Sequence, residues 1–341
     1  MTLTERIDAM AQLGNHLRTA KDEYLDAIIA RTEFNNGWLT KANQKQAIQA
    51  IATHFLTKEA LEAWANRYAI REDGKQQTVG LILAGNIPLV GFHDVLCVFI
   101  SGHRAMVKFS EKDRFLLPYL FKLLKEIHPV TESYFQIVEH LKGFDAVIAT
   151  GSNNSARYFD AYFGKYPNII RRNRNGVAVL NGTESRAELI DLGKDVFQYF
   201  GLGCRNVSKL YVPKGYNFDL LLEALHEYRE IVLHSKYKNN FDYHYALFII
   251  NRAKYLANGC ILMREDDAIV SPIANLYYSF YDNEQELVSL LNERAIEIQL
   301  VVSKSALKDL QVPNFRFGEA QQPKLDDYAD GVDTMAFLSS L

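Results

Sequence analysis

The chain is short of cysteine, with three in 341 residues at positions 97, 204 and 260. They form no CxxC pair and no Cys/His cluster, which argues against a disulfide framework and a structural zinc site, and no metal is expected. Neither charge is in excess. The 38 Lys and Arg stand against 41 Asp and Glu, giving a net charge of -3 and a pI near 6.3. Nothing in that balance calls for nucleic acid as a partner. Long apolar runs are missing too. The most apolar segment, "IPLVGFHDVLCVFISG", spans about 16 residues and carries His93 and Asp94, too short and too polar to cross a bilayer. The start, "MTLTERIDAMAQLG", lacks the basic-then-apolar order of a signal peptide, so a cytoplasmic address is expected. The dinucleotide fingerprint G-x-G-x-x-G is absent as well.

What is present is an ordinary globular composition, 48% hydrophobic and 23% charged, on a chain whose length suits two α/β lobes. Residues 1 to about 70 carry apolar positions at helical spacing without proline, which predicts a helical N-terminal segment. From "TVGLILAGN" onward short β-rich runs alternate with helical patterns. Strands are expected at 78–86, at "RAMVKFSEKD" and at "FDAVIATG". Helices are expected from Pro88 to Gly102, over "RFLLPYLFKLLKEIHP" with a break near Pro118, and over "SNNSARYFDAYF". That alternation is the mark of βαβ units and a parallel sheet. A second α/β unit opens at "GVAVLNGTES". It continues through a helix delivering the chain to Gly201, a strand "VSKLYVP", a helix "NFDLLLEALHEYREIVL", and later strands at "ALFII", "AIVSPIANLYYSFY" and "IEIQLVVS". The expected division is 1–178 for the first lobe, 179–322 for the second, and a tail, 323–341, packing near the site or back on the first lobe.

Ligands bind at the carboxyl ends of parallel strands, which singles out the turns "AGNIP", "KFSEKD" and "ATGSNN". A fourth stretch, "YFGLGCRNVSKLYVP", holds Cys204 behind Gly201 and Gly203 and before Arg205. A buried cysteine needs no flanking glycines, so a bent backbone and a close approach are expected there. Cys97, inside "VLCVFI", reads as core, and Cys260 as inert. The basic run "RRNRN" reads equally as a solvated face or as an anion contact. His93 and His244 read as structural histidines, with a proton-donating role for His93 as the alternative.

In order, these landmarks resemble the aldehyde dehydrogenase superfamily. The segments "AGNIPLVGFHDVLCVFISGH", "FGLGCRNVSKLYVP" and "YADGVDTMAFL" more closely resemble its acyl-CoA reductase branch, the LuxC family. The resemblance runs from roughly residue 75 to residue 338. It implies two lobes, each with a Rossmann-like, mostly parallel sheet. It also implies Cys204 as the nucleophile and the Asn86 amide, with the Cys204 backbone N–H, as the oxyanion hole. Lys108 would contact the adenosine ribose, Ser110 in the same turn would be a further cofactor contact, and the Gly151–Ser152 turn would meet the pyrophosphate. The implied cofactor is NADPH, with NADH as the alternative. The implied activity is reduction of a fatty acyl-CoA or other activated acyl group to the aldehyde through a cysteine thioester. Homo-oligomers and an acyl-transferring partner enzyme are known in the family and are left open here. One departure matters. The glutamate base of hydrolytic members falls in an interval that reads "NIIRRNRNGVAVL" here, without an acid. The rival readings are an acyl-phosphate reductase and a non-catalytic relative that binds an acyl group or an acyl-carrying partner.

Overall fold

A computed structural model describes every residue except 71 and 73. It divides into two compact units, residues 1–173 with 323–341, and residues 174–322.

The first unit opens with four helices, α1 (Leu3–Thr19), α2 (Glu23–Asn35), α3 (Lys41–His54) and α4 (Lys58–Ala65). Each starts on a side-chain cap, in turn Thr2, Asp22, Thr40 and Thr57, the acceptors that otherwise unpartnered first-turn N–H groups require. The alternating part follows as β1 (Thr78–Ile82), α5 (Phe92–Ile100), β2 (Arg104–Lys108), α6 (Leu116–Ile127), β3 (Phe135–Ile137), β4 (Ala146–Thr150), α7 (Asn153–Phe163) and β5 (Asn168–Arg171). The sheet is parallel throughout and ordered β3-β2-β1-β4-β5. Strand order therefore reverses between β1 and β4, where an open α/β sheet forms its ligand crevice. Helix α5 is buried on every side: Phe92, Val95, Leu96, Cys97, Val98, Phe99 and Ile100 are all 2% exposed or less. Each large apolar side chain removed from water in this way contributes about 1.5–3 kcal/mol.

Three expectations shift here. Helix α5 begins at Phe92, four residues after Pro88, because Leu89 takes a left-handed conformation (φ 56°) and Gly91 caps the helix. Strand β2 stops at Lys108, and 109–113 turn away as a loop. Pro118 breaks nothing, since it is the third residue of α6, inside the first turn where a missing N–H costs no helical bond.

The second unit contains β6 (Asn175–Val179), α8 (Arg186–Phe197), β7 (Val207–Pro213), α9 (Asp219–His226), α10 (Ser235–Ile250), β8 (Leu256–Ala257), β9 (Leu262–Glu265), β10 (Asn275–Tyr281), α11 (Glu284–Glu293), β11 (Ile298–Ser303) and β12 (Asn314–Phe315). Its sheet runs β12-β11-β6-β7-β10-β9-β8 and is parallel except for the β8–β9 pair. The division falls before residue 178 because β6 in its entirety belongs to this second sheet. "ALFII" is the last turn of α10 and not a strand. Tyr237, Phe241 and Phe248 are buried at helical spacing, and that period outweighs the β-branched pair Ile249–Ile250.

The tail returns to the first unit and ends in α12 (Thr334–Ser339). Trp64 Nε1 donates to the Tyr328 hydroxyl at 2.8 Å, and the Tyr68 hydroxyl donates to Asp333 at 3.0 Å. Arg171 lies between Asp94 Oδ2 at 2.6 Å and the Thr334 hydroxyl at 2.9 Å, with both charged side chains buried. Its place in "RRNRN" is therefore neither a solvated face nor an anion contact. The neighbouring Arg172 does sit at the surface, paired with Asp160 at 2.7 Å.

Removing Asp94 would leave the Arg171 cation buried without its counter-charge. Asp94→Ala should lower unfolding free energy by about 3–5 kcal/mol, the range for breaking a buried pair. Urea titration of the variant against the unmodified chain checks it, and a loss below 1 kcal/mol would contradict the burial described above.

Candidate functional site

The carboxyl ends of β1, β2 and β4 gather five of the six residues singled out by sequence. Asn86 lies in the loop 83–91 after β1, Lys108 ends β2, and Ser110 follows two residues later. Gly151 and Ser152 link β4 to α7. The β1 and β2 loops are tied together at three points. Leu83 N donates to Lys108 O at 3.1 Å. Leu89 N donates to Asp113 Oδ2 at 2.7 Å. Gly85 passes so close that an added Cβ would lie 2.7 Å from Ser110. Asp113 is buried with a single backbone donor, and burial pushes its carboxyl up to about 6.

Ser152 is the N-cap of α7, its hydroxyl accepting from Ser155 N at 3.2 Å. A Cβ on Gly151 would come within 2.8 Å of Ser155 and Phe159, so only glycine lets β4 turn into the helix this tightly. The edge thus offers a lysine ammonium, two serine hydroxyls and a helix N-terminus. Phosphates and ribose hydroxyls want that donor set, and a dinucleotide fits it.

Cys204 belongs to the second unit, in the loop between α8 and β7. It precedes its strand, unlike the first-unit residues, which follow theirs. After α8 the chain makes a left-handed turn through Tyr199 (φ 53°), Phe200 (φ 60°) and Gly201 (φ 74°). Two non-glycine residues in that region cost about 1–2 kcal/mol each. On the far side, Gly176 of β6 packs against the loop so that a Cβ would lie 2.8 Å from Arg205 O. Arg205 donates from Nε to Ala320 O, and its guanidinium lies 4.9 Å from the Phe315 ring centre. Ala320 N and Gly318 N in turn donate to the fully buried Asp195 of α8 at 3.0 and 2.7 Å. Burial pushes the Asp195 carboxyl up to about 7 against those two bonds.

The remaining candidates resolve as structural. Cys97 and Cys260 are 0% exposed; burial pushes the Cys97 thiol well up and that of Cys260 to about 11. His93 packs among the rings of Phe55, Trp64 and Tyr328. Its Nε2 donates to Leu325 O at 2.9 Å, and burial lowers its basicity, which leaves no route to a proton-donating role. His244 is half-buried on α10. Sequence reading missed Asp113, Asp195 and Asn206, the polar residues that hold the loops. An Asp at the end of a polar turn, an Asp within a helix and an Asn two places after Cys204 are too common to stand out. Among the described residues, no group of three or more His, Cys, Asp or Glu could hold a metal, and no helix is long and apolar enough to cross a membrane.

Two outcomes follow from this geometry. Iodoacetamide on the native chain should add one label, at Cys204, and three labels in urea; intact-mass measurement counts them. The Asp113 carboxyl, raised from 3.8 to about 6 on folding, holds its proton more tightly in the folded state. Its burial is therefore harmless below about pH 4 and destabilises as pH rises through about 6, by up to about 3 kcal/mol at 1.36 kcal/mol per pH unit. Asp113→Asn should flatten that decline in denaturant midpoints measured from pH 4 to 7.5, and parallel curves for the two chains would refute it.

No protein-family model matches the chain. In sequence it is similar to long-chain acyl-protein thioester reductase 2 of Photobacterium leiognathi, 25% identical over 197 residues. That alignment covers 51% of this chain and 41% of the relative, so the match spans about two fifths of the relative's length. Among solved structures it resembles an oxidoreductase from Marinobacter aquaeolei (TM-score 0.74, 10% identity, covering 99% of this chain and 84% of the other). It also resembles aldehyde dehydrogenase 21 from Physcomitrella patens in complex with succinate (0.71, 14%, 100% and 84%). A third is an aldehyde dehydrogenase from Bacillus cereus in complex with NAD+ (0.64, 15%, 89% and 72%). With two mostly parallel sheets, a helical N-terminal segment and that set of likenesses, the chain has the aldehyde dehydrogenase fold and is similar over part of its sequence to a long-chain acyl-protein thioester reductase.

Proposed function

We propose that this chain is an oxidoreductase that reduces an activated acyl group, carried as a thioester on coenzyme A or on a protein, to the aldehyde. The observation that carries this reading is the contrast among the three cysteines. Two are sealed in cores, and Cys204 is held partly open, three residues after the strained left-handed turn Tyr199–Gly201 and directly after Gly203. Backbone strain persists where the surroundings enforce it, and it clusters at functional sites.

On this reading the Cys204 thiolate adds to the acyl carbonyl, and the carrier thiol leaves with the electron pair of its C–S bond. The acyl group stays on Cys204 as a thioester. The Asn86 amide donates to the carbonyl oxygen while it bears negative charge. A nicotinamide bound at the β1–β4 edge would supply the hydride. Lys108, Ser110, Ser152 and the N-terminus of α7 are the groups of this chain that would hold its phosphates and ribose. Collapse of the thiohemiacetal then returns the C–S electron pair to Cys204 and frees the aldehyde. Lys108 ends β2, where NAD-selective Rossmann folds place an acid against the ribose 2′-hydroxyl, and a cation there favours NADPH. The acid-free interval 168–180 supports reduction over hydrolysis, because water has no base there to activate it.

Incubation with a series of acyl-CoAs in the absence of nicotinamide, followed by denaturing mass spectrometry, should show an acyl adduct on Cys204 and none on Cys204→Ala. Asn86→Ala should slow acyl transfer by about 100- to 1000-fold, the usual effect of removing one oxyanion donor. Labelling by acyl phosphates alone would move the assignment to that donor class. No label from either would leave the chain as a non-catalytic binder of acyl groups.

A further inference from the structure

Asn206 is 1% exposed and makes polar contacts in every direction. Its side-chain Nδ2 donates to Asp195 O and to Gln198 O, both at 2.9 Å. These carbonyls lie at the end of α8, where no N–H of the helix remains to pair with them. Its Oδ1 accepts from Gly203 N at 2.8 Å. Its own N donates to Gly203 O at 3.1 Å, and its O accepts from Gly176 N of β6 at 2.9 Å. Gly203 is thus gripped at both its N–H and its C=O by one residue, and Cys204 is the next residue along. The same side chain closes the ends of the left-handed turn Tyr199–Gly201, whose dihedrals a free chain would leave.

We infer that Asn206 is the positioning residue of Cys204: it clamps the Gly203 peptide units between the end of α8 and β6 and so fixes where the thiol and the Cys204 backbone N–H point. The inference rests on the reading of Cys204 as the nucleophile, but its physical content, control of the thiol's setting, can be measured without any acyl substrate. Asparagine suits the task because it carries two donors and an acceptor on a short stem. Aspartate would face the two α8 carbonyls with oxygen, and leucine of similar size would leave Gly203 N and both carbonyls buried and unpaired.

The test uses Asn206→Ala, Phe200→Gly and the double variant in the full chain. Two readouts are needed, the urea midpoint and the rate of iodoacetamide alkylation at Cys204 from pH 6 to 10. Asn206→Ala should lower the midpoint, shift the pH profile of alkylation, and cut acyl transfer about 100-fold with KM little changed, the scale of loss from a misplacement of about 1 Å. Phe200→Gly takes strain out of the turn but also removes the Phe200 ring from His234 and Tyr237. The single variant gives the net sign, and the double variant should keep the Asn206→Ala alkylation profile whichever way its midpoint moves. If the profile returns together with stability, Asn206 is merely structural and the inference falls. It falls equally if Asn206→Ala leaves the profile unmoved. If the unmodified chain takes no acyl label, the functional reading fails separately, and the alkylation data still decide the role of Asn206.

Discussion

The guanidinium of Arg171, buried between Asp94 and Thr334, ties together three segments far apart in sequence. Asp94 sits in the first turn of α5, the helix that follows the Asn86 loop. Arg171 ends β5, two residues before the chain leaves for the second unit. Thr334 opens α12, after the chain has come back. A buried charge is tolerated when its partners satisfy it, so the pair specifies one docking of the tail on α5 more than it adds net stability. This gives "YADGVDTMAFL" a physical meaning. Tyr328 hydrogen-bonds Trp64, Asp333 caps α12 and bonds Tyr68, and Thr334 completes the Arg171 cage. A stretch that reads as a family signature is the clasp of the first unit.

With that frame set, the edge of the first sheet follows from spacing. Parallel strands bring all their carboxyl ends to one side, and the order β3-β2-β1-β4-β5 places the reversal between β1 and β4. The β1 loop cannot coil straight into α5, because Leu89 N is committed to Asp113 and Leu89 itself is left-handed. That commitment holds residues 83–91 open as a loop and delays the helix to Phe92. An asparagine at 86 is therefore presented from irregular backbone on a rigid support, a common setting for functional side chains.

Much of this was legible in the chain itself. The alternation of β-rich runs with helical periods gave both sheets, and the turns "AGNIP", "KFSEKD" and "ATGSNN" marked one sheet edge, which the strand order then brought together. What sequence missed was set by contacts across long separations. Pro118 lies in the first turn of α6, so proline alone did not locate a break. "ALFII" has strand composition, yet the buried Tyr237 and Phe241 upstream and Phe248 within it, at helical spacing, commit the segment to a helix. Arg171 looks like one member of a basic run and differs from Arg172 only through an aspartate 77 positions away. Asn206 carries no local sign of its role, because its partners come from the end of α8 and from β6.

The interval between the Gly-Ser turn and the cysteine bears on the chemistry from another side. Most of residues 168–180 are engaged in structure. Asn168–Arg171 form β5, Arg171 and Arg172 are paired with Asp94 and Asp160, and Asn173 N donates to Asn153. Arg174 donates to Ala295 O, and Asn175–Val179 form β6. An acid introduced at most of these positions would have to displace a strand residue or an ion pair; Asn173, exposed and engaged only through its backbone N–H, is the exception. On the proposed reading, a thioester on Cys204 would meet no water-activating carboxylate from this segment, which suits a reductase that must hold its acyl group until hydride arrives. On that reading the interval and the partly open thiol bear on the same proposal: the first withholds a base from water, and the second leaves exposed the sulfur that would carry the acyl group.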